Sequence, residues 1–245
     1  MFGLQLHLVA GAVLTILAVQ LVMGRVDLPF LRHLQIQRRI QHILSGTVVL
    51  YFQRTFVTAD FLAFLVISMT AILVIHTSRL YLPWVQRLFT WVFGNILRDT
   101  ERQGKRMPGA LFFLVGNLIS FIFFPKNFCS LTILAVTVGD PAAGLLGVTF
   151  RSPKIIGGKS VIGTLGCAFV SGLALTIAAS VWYLIDSSWS SLDLLGLGAM
   201  FGIGAAVSEL FAIVDDNLTM PIFFRVFFIL LAQAGISPAA TILIS

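Results

Sequence analysis

Residues 128–150 read FCSLTILAVTVGDPAAGLLGVTF, an apolar run longer than the roughly 20 residues that a helix needs to cross a lipid bilayer. Further apolar runs lie at residues 3–23, 40–57, 60–76, 109–125, 161–185, 191–214 and 218–235. Two of these runs carry an internal arginine, Arg54 or Arg225, so seven spans are an alternative to eight. The pattern predicts an all-α protein, a polytopic transmembrane helical bundle of about eight spans.

The composition excludes an ordinary soluble domain, because 58% of the 245 residues are hydrophobic and only 11% are charged. We expect a single membrane-embedded domain over residues 1–245. The first apolar run lacks the basic start and the small-residue cleavage site of a signal peptide, so it is interpreted as a first span. Cys129 and Cys167 both lie in apolar runs, which argues against a disulfide framework and against a cysteine zinc site.

The segment 79–107, between the third and fourth runs, has a different pattern. Trp84, Leu88 and Trp91 recur at helical spacing, with Arg87 and other basic residues between them. This spacing predicts an amphipathic helix that lies in the membrane interface. A loop or an additional short span is the alternative.

The basic residues separate onto one face of the predicted bundle. If eight spans alternate in direction, 13 of the 16 Lys and Arg residues fall in loops on one side, and only Arg54 and Lys126 fall on the other. Excess basic residues mark the cytoplasmic side, so both termini are predicted to face away from the cytoplasm. Anionic lipid accounts for the net charge of +6, so no nucleic-acid partner is inferred.

Four carboxylates lie at this same predicted face: Asp140, Glu209, Asp215 and Asp216. Carboxylates next to apolar helices are costly and usually serve a function. Glu209 and Asp216 are two helical turns apart and would share one face if the helix continued that far. The alternative is that each carboxylate pairs with an arginine or caps a helix end.

A basic and glycine-rich loop, residues 151–160 with the sequence RSPKIIGGKS, leads into the sixth apolar run. Pro153 stands where the P-loop pattern requires Gly, and no strand is predicted before the loop, so a true P-loop is not expected. Flexible glycine backbone, lysine charge and a following helix N-terminus are nevertheless suited to phosphate. The candidate phosphate-binding residues are Lys154, Gly157, Gly158, Lys159, Ser160, Gly163 and Thr164.

A candidate metal site and a basic pair complete the polar groups at this face. Oxygen donors from Asp140, Asp216 and Asn217 suit Mg²⁺, which would bridge nucleotide phosphates, although Asn217 also fits a helix cap. Arg39 and His42 begin the second run. Arg39 is a candidate counter-charge for phosphate and His42 a reserve acid–base group, with a structural hydrogen bond as the alternative for His42.

Four ordered motifs resemble those of the CTP-dependent lipid kinases, the family that includes dolichol, phytol, farnesol and fungal-type diacylglycerol kinases. They are RRxxH at 38–42, GDPAA at 139–143, KSxxGT at 159–164 and DDNLTxP at 215–221, the last preceded by Glu209, and together they cover residues 38–222. The resemblance implies transfer of the γ-phosphate of CTP to the hydroxyl of a membrane lipid alcohol, with Mg²⁺ as cofactor. It implies Glu209 or Asp215 as the acceptor of the hydroxyl proton.

Two features bear on the identity of the alcohol. Ile162 stands where phytol kinase-like sequences commonly have an acidic residue, whereas the pair Pro153 and Lys154 is similar to the diacylglycerol kinase pattern, which ranks diacylglycerol first. A CTP-dependent lipid cytidylyltransferase is the alternative, and a transporter is less favoured because the polar clusters lie at one face. The site is expected to face the cytoplasm, and if the protein is eukaryotic the expected location is the endoplasmic reticulum or nuclear envelope. The oligomeric state stays open.

Overall fold

The structure, a computed structural model, describes residues 6–25, 33–182, 190–212 and 215–235. Within these ranges the regular elements are helices, together with one isolated antiparallel bridge between Lys154 and Ser160 and a short 3₁₀ turn at Ile156–Gly158. The helices are α1 (Leu6–Arg25), α2 (Ile36–Thr55), α3 (Thr58–Tyr81), α4 (Pro83–Phe93), α5 (Asp99–Arg102), α6 (Gly109–Phe123), α7 (Lys126–Thr149), α8 (Val161–Trp182), α9 (Ser191–Leu210) and α10 (Asp216–Gln233).

Each of the eight predicted apolar runs forms a helix, which confirms the all-α prediction. Among the described residues, five helices are long and apolar enough to cross a membrane, namely α3, α7, α8, α9 and α10. The apolar parts of α1 and α6 are shorter. α2 has the length of a span, but Arg38, Arg39 and Arg54 lower its hydropathy. The protein is therefore a polytopic helical membrane protein.

The chain divides into two compact units, and the boundary between Leu118 and Ile119 falls within α6. In the N-terminal unit α1 packs against α2, α3 and α4. In the C-terminal unit α8 packs between α7 and α9, and α10 packs against α9 and α7. The second unit carries three of the four motifs.

Small residues allow close helix contact in the C-terminal unit. A Cβ atom on Gly202 of α9 would lie 2.1 Å from the carbonyl oxygen of Ala168 in α8, and one on Gly163 would lie 2.7 Å from that of Ala143 in α7. Such approaches are possible only where side chains are absent. The three helices are consequently held at short separation around the end of the bundle that carries the motifs.

The segment predicted to be an interfacial helix contains α4, which begins with Pro83 in its first turn. Trp84, Leu88 and Trp91 are all exposed on one side of this helix, as the spacing predicts. The helix is shorter than the predicted segment because α3 continues to Tyr81 and α5 is separate. Its location in the membrane interface stays a prediction.

A buried arginine joins α3 to the segment around α5. Arg79 is 3% exposed, and its Nη2 donates a hydrogen bond to the carbonyl oxygen of Glu101 at 2.8 Å and lies 2.9 Å from Nδ1 of His76. Its guanidinium carbon lies 4.3 Å from the centroid of the Phe89 ring in α4, a cation–π contact. The carboxylate of Glu101 instead accepts hydrogen bonds from the backbone N–H groups of Arg98 and Gly109.

Candidate functional site

The loop between α7 and α8 and the loop between α9 and α10 lie at the same end of the C-terminal unit. This arrangement brings Lys159, which immediately precedes α8, to the end of α9 and the start of α10. Its Nζ lies 2.5 Å from Oε1 of Glu209 and 2.7 Å from Oδ1 of Asp216. One ammonium therefore bridges two carboxylates that come from different helices.

The predicted shared helical face of Glu209 and Asp216 is wrong. α9 ends at Leu210, and Asp216 is the first residue of α10. The two carboxylates meet because Lys159 binds both, and not because of helical periodicity.

The ion pairs are largely enclosed by protein. Glu209 is 3% exposed, and among the described residues its Oε2 has no hydrogen-bond partner. The side chains of Lys159 and Asp216 are 23% and 20% exposed, so the cluster is partly open to solvent. Burial acts to lower the pKa of Lys159, but the charges and hydrogen bonds of Asp216 and Glu209 outweigh burial and raise that pKa above its ordinary value. The lysine is consequently protonated at neutral pH.

Asp140 adds a third negative charge to the same region. It lies within α7, roughly two and a half turns before the helix ends, and its charge acts on both Glu209 and Asp216. The residue before it, Gly139, is pressed against α8, since a Cβ there would lie 2.7 Å from Oγ of Ser171. Close packing of α7 on α8 thus sets the position of Asp140.

The two adjacent aspartates at the start of α10 have different hydrogen-bond partners. Asp215 is the N-cap residue, and its Oδ1 accepts a hydrogen bond from the backbone N–H of Asn217 at 3.1 Å. The hydroxyl of Thr219 donates to the Asp215 carbonyl oxygen. The helix-cap alternative is therefore confirmed for Asp215, whereas the Asp216 carboxylate is directed to Lys159.

The glycine-rich loop folds back on itself. The backbone N–H of Ile155 donates to the carbonyl oxygen of Lys159 at 2.7 Å, and that of Lys159 donates to Ile156. Gly157 and Gly158 lie at the exposed tip with φ values of 62° and 80°, a region that L-residues rarely adopt. Lys154, which pairs with Ser160 at the base of this loop, is also exposed. The loop therefore presents glycine backbone at its tip and a lysine side chain nearer its base to solvent.

The start of α8 differs from the sequence expectation. The sequence predicts that this helix N-terminus favours phosphate through its dipole, but its first four backbone N–H groups all donate to oxygens of the loop. The donor–acceptor pairs are Val161 to the Pro153 carbonyl, Ile162 to Ser152 Oγ, Gly163 to Ser160 Oγ and Thr164 to the Ser160 carbonyl. Ser160 and Gly163 thus have structural roles here, as a cap and as a packing position against α7, and their contact with a nucleotide stays a prediction.

The first motif belongs to the N-terminal unit. Nε of Arg39 donates to the carbonyl oxygen of Leu34 at 2.8 Å. The His42 ring meets the Phe113 ring edge-to-face, with 5.4 Å between centroids. Both residues are only partly buried, and their action on a nucleotide stays a prediction.

The carboxylates of the C-terminal cluster are of the kind that binds Mg²⁺, but they are not arranged as a preformed metal site. Hard carboxylate oxygens suit Mg²⁺, and Glu209 Oε2 is a buried acceptor that has no donor in the part of the chain that the structure describes. Within the described ranges, no three His, Cys, Asp or Glu side chains lie close enough to form a metal site as they stand. A cation would therefore require Lys159 or one of the carboxylates to move.

Sequence reasoning missed that Lys159 is a carboxylate partner. It was assigned only to phosphate, although a lysine beside apolar helices that also carry carboxylates needs a counter-charge when it is buried. Ser152 was also missed as a hydrogen-bond acceptor for α8. Its position two residues before Lys154 matches no motif that would have predicted this hydrogen bond.

Comparison with known proteins gives the following relatives. Three curated proteins named CTP-dependent diacylglycerol kinase 1 are similar to the chain. The protein from Eremothecium gossypii is 26% identical over 179 residues, which are 66% of this chain and 56% of the relative. The one from Saccharomyces cerevisiae is 25% identical over 219 residues, 81% of this chain and 73% of the relative. The one from Schizosaccharomyces pombe is 27% identical over 151 residues, 57% of this chain and 66% of the relative.

The match is partial in length. The chain spans 56% of the first relative and 73% of the second. No protein-family model and no solved structure matches the chain. The three relatives and the four ordered motifs together support membership of this chain in the CTP-dependent lipid kinase family.

Proposed function

We propose that the protein is a lipid kinase that transfers the γ-phosphate of CTP to the hydroxyl of a membrane lipid alcohol, with diacylglycerol as the first candidate. The observation that carries the proposal is the cluster in which Lys159 meets Glu209 and Asp216 beside Asp140. A lysine and several carboxylates at one end of a membrane bundle are what phosphoryl transfer to a lipid hydroxyl needs. The names of the three relatives support CTP as the donor.

The proposed reaction places each group at a defined step. The lipid hydroxyl oxygen attacks the γ-phosphorus, the bond from that phosphorus to the β–γ bridging oxygen breaks, and CDP leaves. Glu209 accepts the hydroxyl proton, because its Oε2 is a buried acceptor with no donor among the described residues, whereas Asp215 is engaged in capping α10. Lys159, with Lys154 and the Gly157–Gly158 tip, offsets the charge of the phosphates.

The magnesium assignment is part of the same proposal. Asp140 and Asp216, with Asn217, would hold Mg²⁺, which when bound neutralises phosphate charge and orients the γ-phosphate. We place this end of the bundle at the cytoplasmic face, where CTP is available. Thirteen of 16 basic residues support that orientation.

The test is to offer γ-labelled CTP, ATP and GTP to the purified protein in mixed micelles that contain diacylglycerol, phytol, farnesol or dolichol. We expect label in phosphatidate with CTP as the best donor, and loss of labelling in Asp140→Asn by about 10²-fold or more. Label released as pyrophosphate, with cytidine attached to lipid, would instead identify a cytidylyltransferase. Absence of labelled lipid with every nucleotide and alcohol contradicts the proposal.

A further inference from the structure

We propose that the ammonium of Lys159 occupies the cation position of the resting site, so that Lys159 and a divalent cation exclude each other from the Glu209 and Asp216 carboxylates. Lys159 is then an exchangeable counter-ion as well as a phosphate-binding group. The inference rests on the proposed function only for what the released lysine binds next. The exchange itself involves only residues of the C-terminal unit.

The first reason is that one side chain fills the space that a cation would need. Lys159 Nζ makes both of its ion pairs at 2.5 and 2.7 Å, with Oε1 of Glu209 and Oδ1 of Asp216. A divalent cation could not use these two oxygens while the ammonium lies between them. This agrees with the lack of a preformed metal site among the described residues.

The second reason is that Lys159 alone does not supply all the hydrogen bonds and positive charge that the carboxylates require. Oε2 of Glu209 is buried and without a hydrogen-bond partner among the described residues, which is costly for a carboxylate oxygen. Three carboxylates, those of Glu209, Asp216 and the nearby Asp140, also share the single ammonium of Lys159. A divalent cation supplies twice the charge and more coordination positions than an ammonium.

The third reason is that the Lys159 side chain can move to an alternative partner. Its side chain is partly exposed and ends a loop whose tip, Gly157 and Gly158, lies in solvent. A lysine ammonium on a four-carbon stem can move to a new partner without backbone change. Nucleotide phosphate arriving at the loop tip would offer that partner, which frees Glu209 as proton acceptor and Asp216 as metal ligand.

The decisive measurement is Mn²⁺ binding, followed by electron paramagnetic resonance of the free ion, on purified protein without CTP and without lipid substrate. We expect Lys159→Met to bind Mn²⁺ about tenfold or more tightly than the wild type, because a competing charge is removed. Lys159→Arg keeps the charge and should not bind more tightly. Arg151→Met removes an exposed charge from the same loop and serves as the matched control.

The gain must also depend on the released carboxylates. Adding Asp216→Asn to Lys159→Met should abolish it. If Lys159→Met folds, as judged by its melting curve, and binds Mn²⁺ no more tightly than the wild type, the exchange is wrong.

A second measurement uses the unmodified protein and does not depend on the folding of any variant. The rate at which an amine-reactive reagent labels Lys159, read by mass spectrometry, should rise several-fold with Mg²⁺, while exposed Lys154 on the same loop stays unchanged as internal reference. An unchanged Lys159 rate overturns the exchange. Phosphorylated lipid together with unchanged Mn²⁺ binding and labelling would refute the exchange alone, whereas exchange without phosphorylated lipid would refute the proposed function alone.

Discussion

Each of the two units holds a basic side chain that is at least partly buried, and the two side chains have different kinds of partner. In the N-terminal unit Arg79 binds a backbone carbonyl, a histidine ring and an aromatic face. In the C-terminal unit Lys159 binds two carboxylates. The partners of Arg79 are neutral groups, so its contacts are expected to stay the same throughout the life of the folded protein. The partners of Lys159 are carboxylates, which can exchange one cation for another. The comparison suggests a structural role for Arg79 and a functional one for Lys159.

The largest expected effect is on catalysis by Lys159→Met. In the proposed reaction, loss of the ammonium removes a charge that would stabilise the phosphates in the transition state, so we expect kcat/KM for CTP to fall by about 10²–10³-fold. The measurement is labelled phosphatidate formed per unit of folded protein. Lys159→Arg should recover part of the activity, and full activity in Lys159→Met would remove Lys159 from the reaction.

The next effect is on stability, in Arg79→Met. The variant removes the hydrogen bonds of Arg79 to the Glu101 carbonyl oxygen and the His76 ring together with its contact with Phe89, which we expect to cost about 2–3 kcal/mol in the free energy of unfolding. Denaturant unfolding in detergent measures the loss. Arg79→Lys should not restore it, because an ammonium cannot reproduce the planar contact with Phe89 together with the two directed hydrogen bonds.

The Arg79→Met variant also tests whether Arg79 takes part in the reaction. The folded fraction of Arg79→Met should phosphorylate lipid at the wild-type rate. A large drop in kcat for the folded protein would show that the N-terminal cation is functional as well.

Periodicity and charge were sufficient to predict the helices, because a span must bury every backbone hydrogen bond and keep apolar side chains toward lipid. The alternation of spans also predicted that Lys159, Glu209 and Asp216 belong to one end of the bundle. The ion pairs could not be predicted, since they join residues 50 and 57 positions apart and depend on how α8 packs between α7 and α9.

The division of labour between Asp215 and Asp216 was equally hidden in the sequence. It depends on the residue at which α10 begins, because the N-cap side chain is used by the helix and the next one is free to point elsewhere. A shift of one position would exchange their roles. Sequence patterns place helix ends only to within a few residues, so either aspartate fitted either role.

The smallest expected effect separates two glycines with the same backbone conformation. Gly104 lies three residues after Glu101, the hydrogen-bond partner of Arg79, and has φ 75°. Gly157 lies at the loop tip and has φ 62°. Alanine at either position is strained by roughly 1 kcal/mol because L-residues avoid this region. A Cβ on Gly104 would also meet Cδ2 of Leu80 at 2.9 Å, whereas one on Gly157 would meet nothing within 4 Å.

We therefore expect Gly104→Ala to lower the unfolding midpoint and leave KM for CTP unchanged. Gly157→Ala should raise KM for CTP about two- to fivefold, because roughly 1 kcal/mol of backbone strain falls on the loop tip proposed to face the phosphates. Its kcat should be little changed, and its unfolding midpoint should fall less than that of Gly104→Ala, since its Cβ meets no neighbouring atom. Steady-state kinetics and thermal unfolding of the two variants, measured side by side, make the comparison. If both glycines affected KM to the same extent, the tip would not be the place where the phosphates bind.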